Sequence, residues 1–295
     1  MAYRLQRREP VPDAFRRIAD EQFLGLTTAL GDETGAGIHE ARKRCKMLRA
    51  LVQLVARSPA TLAFSKADAA LQRILHALAP LRDAEARLHT LETLLTRGGP
   101  RVPARFASVR AMLQAQAASA RRLTLTAADL RDIVAMAGAA QVRLEALPIA
   151  HKGWRALAPG LRGAYRRGRK ALEAARNDPS PELRHRWRRQ VKQLWHHVRL
   201  LQSAQPKKFA ALARKLDALA TGLGDEHDLA LLREHLAIHG KRSRTRAEFD
   251  GLATLIDRRR TDLRRSADRL GRALYKAKPA DFVARIERAW RRWRE

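Results

Sequence analysis

Apolar side chains recur along most of this chain every three or four residues, the spacing of one helix face, and no segment alternates convincingly enough to read as a strand. Phe15, Ile18, Ala19, Phe23 and Leu26 share a face and predict a first helix from Pro10 to Leu30. After a turn from Gly31 to Gly37, Ala41, Cys45, Leu48, Val52 and Val55 mark the inward side of a second helix over Ile38–Val55. Ser58-Pro59 ends it and starts a third, with Leu62, Leu71, Ile74, Leu75 and Leu78 on the apolar face. Pro80 breaks the chain before a fourth helix that reaches Leu95 ahead of Gly98-Gly99-Pro100. Helices are expected next over about Val102–Ala120 and Leu125–Leu144, the second with Thr126 as N-cap.

The stretch from Pro148 to Gly160 is the best boundary, dividing the chain into units of 1–150 and 151–295. Beyond it come a helix over Trp154–Ala175 and one started by Pro181. Another follows Pro206, with Phe209, Leu212, Leu216 and Leu219 inward, and Asp228 is expected to open a further one. A basic loop from Gly240 to Arg246 precedes two last helices, about Ala247–Leu274 and Pro279–Trp293. Amphipathic helices with short connections predict an all-α fold built as antiparallel bundles.

The polar sides carry a second pattern. On the second helix His39, Arg42, Lys43, Lys46, Arg49 and Gln53 form one stripe, and no acid follows Glu40 before the helix ends. Surface helices usually set Glu against Lys at i,i+4. This one is expected to repel itself unless an anion lies against it. The design returns 146 residues later: His185, Arg188, Arg189, Lys192 and Leu194 match His39, Arg42, Lys43, Lys46 and Leu48. A second marker, Leu78-Ala-Pro-Leu-Arg-Asp83, matches Leu223-Gly-Asp-Glu-His-Asp228 at a displacement of 145. Two markers at nearly one spacing point to a tandem duplication. The match is imperfect, since Arg49 becomes Trp195 and Arg82 becomes His227, although Arg199 stands one turn further on.

Composition sharpens this reading. In 295 residues, 60 Lys and Arg against 30 Asp and Glu leave a formal charge of +30, which predicts a polyanionic partner. Residues 1–150 hold 23 basic and 14 acidic side chains and residues 151–295 hold 37 and 16, so the second half is the more anion-seeking. The N-terminus has no apolar core of a signal peptide, and no uncharged run approaches the ~18 residues of a membrane span, so a soluble cytoplasmic protein without a membrane partner is expected. Cys45, the only cysteine, lies on an apolar face and reads as buried and inert.

Phosphate suits the stripes. Arg offers a bidentate fork and Lys a point charge, so successive turns present a ladder of cations, and an imidazole at its head could donate a hydrogen bond. A structural histidine is the alternative at His39 and at His185. Asp83 and Asp228 read as caps or as orienting groups for a neighbouring cation. His235 and His239 stand at i,i+4 and His196 and His197 are adjacent, but no His-Glu-x-x-His and no cysteine cluster accompanies them, so no metal is expected. Walker-type loops and Gly-x-Ser-x-Gly elbows are absent. The sequence implies no cofactor and no catalytic residue.

The His-x-x-Arg-x-x-x-Lys-x-x-Arg helix, its repeat and the Arg-Asp or Leu-Gly-x-x-x-Asp markers resemble the CHAD domain, the conserved-histidine α-helical domain. The stretch Gly160–Leu172 fits the same family. The resemblance covers roughly residue 12 to the C-terminus. It implies two four-helix-type bundles related by pseudo-twofold symmetry, with the His39 and His185 helices facing a shared basic groove. It also implies an association with inorganic polyphosphate, bound without hydrolysis and at polyphosphate granules. The residues it selects are His39, Arg42, Lys43, Lys46 and Arg49, then His185, Arg188, Arg189 and Lys192. Arg166, Arg169 and Lys215 on adjoining helices are secondary. The triphosphatase signature Glu-x-Glu-x-Lys that often accompanies this domain is missing. Weak non-specific nucleic-acid binding is the alternative, since bulk positive charge attracts RNA and DNA, but no recognition helix is visible and aromatics are few.

Overall fold

The structure is a computed structural model, described for residues 3–32, 35–56, 62–78, 83–97, 105–121, 126–240 and 246–295; residues 35, 83, 84, 120, 121 and 240 are described by backbone alone. Among these residues it is all-α. In chain order the helices are α1 (Val11–Leu30), α2 (Gly35–Val55), α3 (Leu62–Ala77), α4 (Asp83–Arg97), α5 (Ala107–Arg121) and α6 (Ala127–Glu145). Then follow α7 (Trp154–Asn177), α8 (Pro181–Leu200), α9 (Pro206–Gly240), α10 (Arg246–Leu274) and α11 (Pro279–Arg294), with a 3-10 turn at Gln202–Ala204. The breaks expected at Ser58-Pro59, Pro80 and Gly98–Pro100, and most of the basic loop, lie outside the described residues.

Local chemistry sets the ends. Thr126 accepts from the Asp129 amide at 3.1 Å while the Asp129 carboxylate accepts from the Thr126 amide at 2.8 Å, a capping box that starts α6. Pro181 and Pro279 begin α8 and α11, where a missing N–H leaves nothing unsatisfied. The inward positions of α1 and α2 follow the sequence pattern, with Phe15, Ile18, Phe23, Ala41, Cys45, Leu48 and Val52 all buried. Leu62 departs from it: at the first position of α3 it is 69% exposed, because the bundle wall begins only at Phe64.

Asp228 does not open a helix. A single helix of 35 residues, α9, runs from Pro206 to Gly240 straight through the Leu223–Asp228 marker. Gly222 and Gly224 in its middle each cost about 1 kcal/mol relative to Ala. Burial of Leu216, Leu219, Leu223, Leu229 and Leu232 along its length outweighs that, and no proline follows Pro206 before it ends. Asp228, half-buried in mid-helix, is therefore no N-cap.

Two apolar clusters hold the molecule, and both draw on residues from either side of position 150. The larger joins α1, α2, α3 and α6 to α7, α8, the first part of α9 and α11. The smaller gathers Leu91, Leu95, Phe106, Val109 and Leu113 against Leu232, Leu236, Leu252 and Ile256. The length of α9, about 50 Å at 1.5 Å per residue, lets it serve both. Between the halves, α2 packs on α7 and α8. At Gly160 a Cβ would collide with the carbonyl oxygens of Gln53 and Leu54, so α7 crosses α2 backbone to backbone where only glycine fits.

Candidate anion-binding site

On α2 the basic stripe faces outward, as its spacing requires, but part of it is already neutralised. Arg49 grips Asp68 of α3 through Nε and Nη2 at 2.9 and 2.8 Å, and Gln53 Nε2 donates to the same carboxylate at 2.9 Å. Arg42 Nη1 donates to the Leu75 carbonyl near the end of α3 at 2.9 Å. Glu40 takes Lys43 and Arg44 at 2.9 and 2.7 Å. The expectation of an uncompensated stripe is thus corrected: the missing carboxylate comes from the neighbouring helix. Lys43 and Lys46 stay exposed at the surface, as does His39 on the first turns of α2.

On α8, His185 is half-buried with its ring 4.4 Å from that of His227 on α9, tilted by 40°. Burial pushes the His185 imidazole down to about 4, with further contributions from His227, Arg189, Arg188 and Lys46. His227 is lowered as well, chiefly by burial, against an opposing pull from Asp228. Both rings are therefore neutral at pH 7. Arg188 lies along α9 over Gly224, where a Cβ would stand 2.9 Å from its Nε; the glycine of the Leu-Gly marker makes room for a guanidinium. Lys192 pairs with Asp217 at 3.0 Å and sits 4.4 Å above the Trp195 ring, which Arg199 also approaches at 4.7 Å. Arg189 is exposed.

The two helices meet electrostatically. Lys46 of α2 lies close enough to the α8 imidazoles to help lower both His185 and His196. His196 and His197 are buried where α8 faces the first half: His197 Nε2–H donates to the Ala50 carbonyl at 2.9 Å, and His196 meets Tyr3 edge-on. Neither is a ligand-facing group. The secondary candidates are scattered. Arg169 turns to the Ala277 carbonyl at 3.4 Å and to Glu173, while Arg166 and Lys215 are exposed on α7 and α9. The Asp83 side chain lies outside the described residues.

Beside His185 and His227 an open cleft of about 530 Å³ is walled by Arg186, Arg189, Arg233 and Arg260, with Glu182 and Glu234 also on its lining. Behind it sits a charged cluster that sequence reasoning missed. Glu226, 1% exposed, receives Arg260 Nη2 at 3.1 Å and Arg264 Nη2 at 2.8 Å, and buried Arg184 reaches Asp268 at 3.4 Å. Burial drives the Arg184 guanidinium below its usual range. Glu226 stood within the marker, but its partners arrive from α10, more than thirty residues on, beyond any local spacing rule.

The other histidine pair is engaged in hydrogen bonds. His235 Nε2–H donates to Gln116 Oε1 and His239 Nδ1–H to the His235 carbonyl, both at 2.9 Å. Cys45 is buried and its thiol is pushed up to about 12, which fits an inert packing residue. No helix among the described residues is long and apolar enough to cross a membrane.

Comparison with known proteins gives two findings. The family model of the CHAD domain matches residues 17–237. Among solved structures, the crystal structure of the CHAD domain from the plant Ricinus communis superposes with a TM-score of 0.69 over 94% of this chain and 95% of that one, at 16% identity. No curated protein sequence matches.

Proposed function

This chain belongs to the CHAD-domain family, and from that premise we propose that it binds inorganic polyphosphate without hydrolysing it, in a basic groove between α2 and α8. The observation that supports this reading most is the direct packing of α2 on α8, where His197 Nε2–H donates to the Ala50 carbonyl at 2.9 Å, so that the two basic stripes lie on adjoining helices. A linear polyanion lying there would meet Lys43 and Lys46 from one side and Arg188, Arg189 and, on exchanging its Asp217 partner for phosphate, Lys192 from the other. Each would make a charge-assisted hydrogen bond to a phosphate oxygen. Arg49, held by Asp68, serves the fold rather than the ligand. The tandem duplication gives the groove its two related walls. Association with polyphosphate granules in the cytoplasm is part of the same proposal.

The deciding experiment is a competition between long-chain polyphosphate and single-stranded RNA at equal phosphate and equal salt. Tighter polyphosphate binding supports the proposal; equal or reversed affinity overturns it. Incubation with polyphosphate, with and without a chelator, should release no phosphate, and release would make the protein an enzyme.

One observation favours the alternative of nucleic-acid binding. Trp195 stands in the α8 stripe where α2 has Arg49, half-buried between Lys192 and Arg199. An indole so placed could stack on a base. Preference for RNA in the same competition, lost in Trp195→Leu, would establish it.

A further inference from the structure

We propose that His227 joins His185 as an anion-binding residue and that the adjacent pair takes up one proton when phosphate enters the cleft, making polyphosphate binding proton-coupled. The inference rests on the proposed function above and goes beyond it in naming a residue and a regulatory ion.

The two rings lie 4.4 Å apart at the inner wall of the cleft, on different helices, and each has a buried Nδ1 without a hydrogen-bond partner among the described residues. An unpartnered lone pair is less costly to bury than an unpartnered N–H. Each neutral ring therefore carries its proton on Nε2. What faces the pair explains why it stays neutral without ligand. Lys46 on α2 and Arg188 and Arg189 on α8 surround His185. Asp228, Glu226 and Glu182 partly offset Arg188 at His227, and Arg186, Arg233, Arg260 and Glu234 complete the cleft walls. Desolvation and the surrounding cations both oppose an imidazolium.

A phosphate in the cleft reverses that balance. Its negative charge compensates the cations and lowers the electrostatic cost of an imidazolium, so one ring, while its Nε2–H donates to the phosphate, binds a proton released by solvent or buffer at Nδ1, forming one new N–H bond. A second proton is disfavoured, because two imidazoliums at this separation repel. The pair thus adds one positive charge only when an anion is present, where permanent arginines would strain the empty protein. Affinity should rise as pH falls, by at most about tenfold per pH unit, the slope of one linked proton.

The test uses the full chain and long-chain polyphosphate at fixed salt. Calorimetry at pH 6 in two buffers of different ionisation enthalpy reads proton uptake directly, and titrations from pH 5 to pH 8 read the affinity slope. The expected result is uptake approaching one proton and an affinity that falls with rising pH. His227→Gln should remove most of both, while His239→Gln, outside the cleft, should change neither. Binding that is independent of pH without proton uptake overturns the proposal and leaves the proposed function standing, as does full uptake in His227→Gln. Absence of binding at every pH overturns the proposed function and this inference with it. The wild-type measurements decide the matter even if the variant fails to fold.

Discussion

His197 donates through Nε2 to the backbone carbonyl of Ala50 across 2.9 Å, and this bond, wholly buried, fastens α8 to α2. Replacing His197 by Ala removes the donor and leaves a cavity between the halves. The expected loss is about 2–4 kcal/mol in urea denaturation. His197→Gln, which keeps a donor, should recover part of it.

Acid should unfold the protein through the same region. The folded-state imidazole of His197 is pushed down to about 3 from 6.5 by burial, and His196 is also lowered well below 6.5. Both must stay neutral to remain packed, whereas the unfolded chain binds protons below about 6.5. Their contribution is therefore complete above that pH and declines as pH falls toward about 3. Each adds about 1.4 kcal/mol per pH unit to the slope. Urea midpoints at pH 7, 6 and 5 measure it, and a flat profile would contradict the burial.

The same chemical change at two glycines should have opposite consequences. Gly160→Ala drives a methyl into the carbonyls of Gln53 and Leu54, backbone that cannot step aside, and should destabilise by more than about 2 kcal/mol. Gly224→Ala meets only the movable guanidinium of Arg188. Stability there should hold or rise by up to about 1 kcal/mol from helix propensity. Polyphosphate affinity should fall roughly fivefold, about 1 kcal/mol, as Arg188 is displaced.

Arg49 and the exposed cations should separate in salt titrations. Arg49→Gln is expected to lower stability by about 1 kcal/mol, since the pair with Asp68 is only partly buried, and to leave the salt dependence of binding unchanged. The double variants Lys43→Gln/Lys46→Gln and Arg188→Gln/Arg189→Gln should each flatten log affinity against log salt. The change should be about 0.7 for every phosphate-binding cation removed, taking the single-strand value. All four substitutions together should weaken binding by more than the two doubles added, because each wall raises the local concentration of polymer for the other. Strict additivity would mean that separate chains bind each wall.

Polyphosphate should also raise the melting temperature, by the equivalent of about 2.7 kcal/mol at a free concentration one hundred times Kd. The gain should shrink in high salt, where screening shortens the reach of surface charge. An unchanged melting curve at saturating ligand and low salt would speak against a groove built into the fold.

The class of the protein was legible in the chain alone, because helical periodicity is local. Ala41, Cys45, Leu48 and Val52 had to share a face whatever lay beside them, and all four are buried. The apolar run of α1, the Thr126 N-cap, the charge of +30 and the order of the His-x-x-Arg helices were legible for the same reason. Which cations are already occupied depends instead on how the helices pack. Asp68 reaches Arg49 from 19 residues away and Asp217 reaches Lys192 from 25, distances at which no spacing rule along one helix operates. Packing also decided that α9 runs unbroken through its glycines and that Glu226 is clamped by α10. Meetings of this kind depend on where helices cross and how each is rotated about its axis, and those follow from the packing of whole faces rather than from any stretch of sequence.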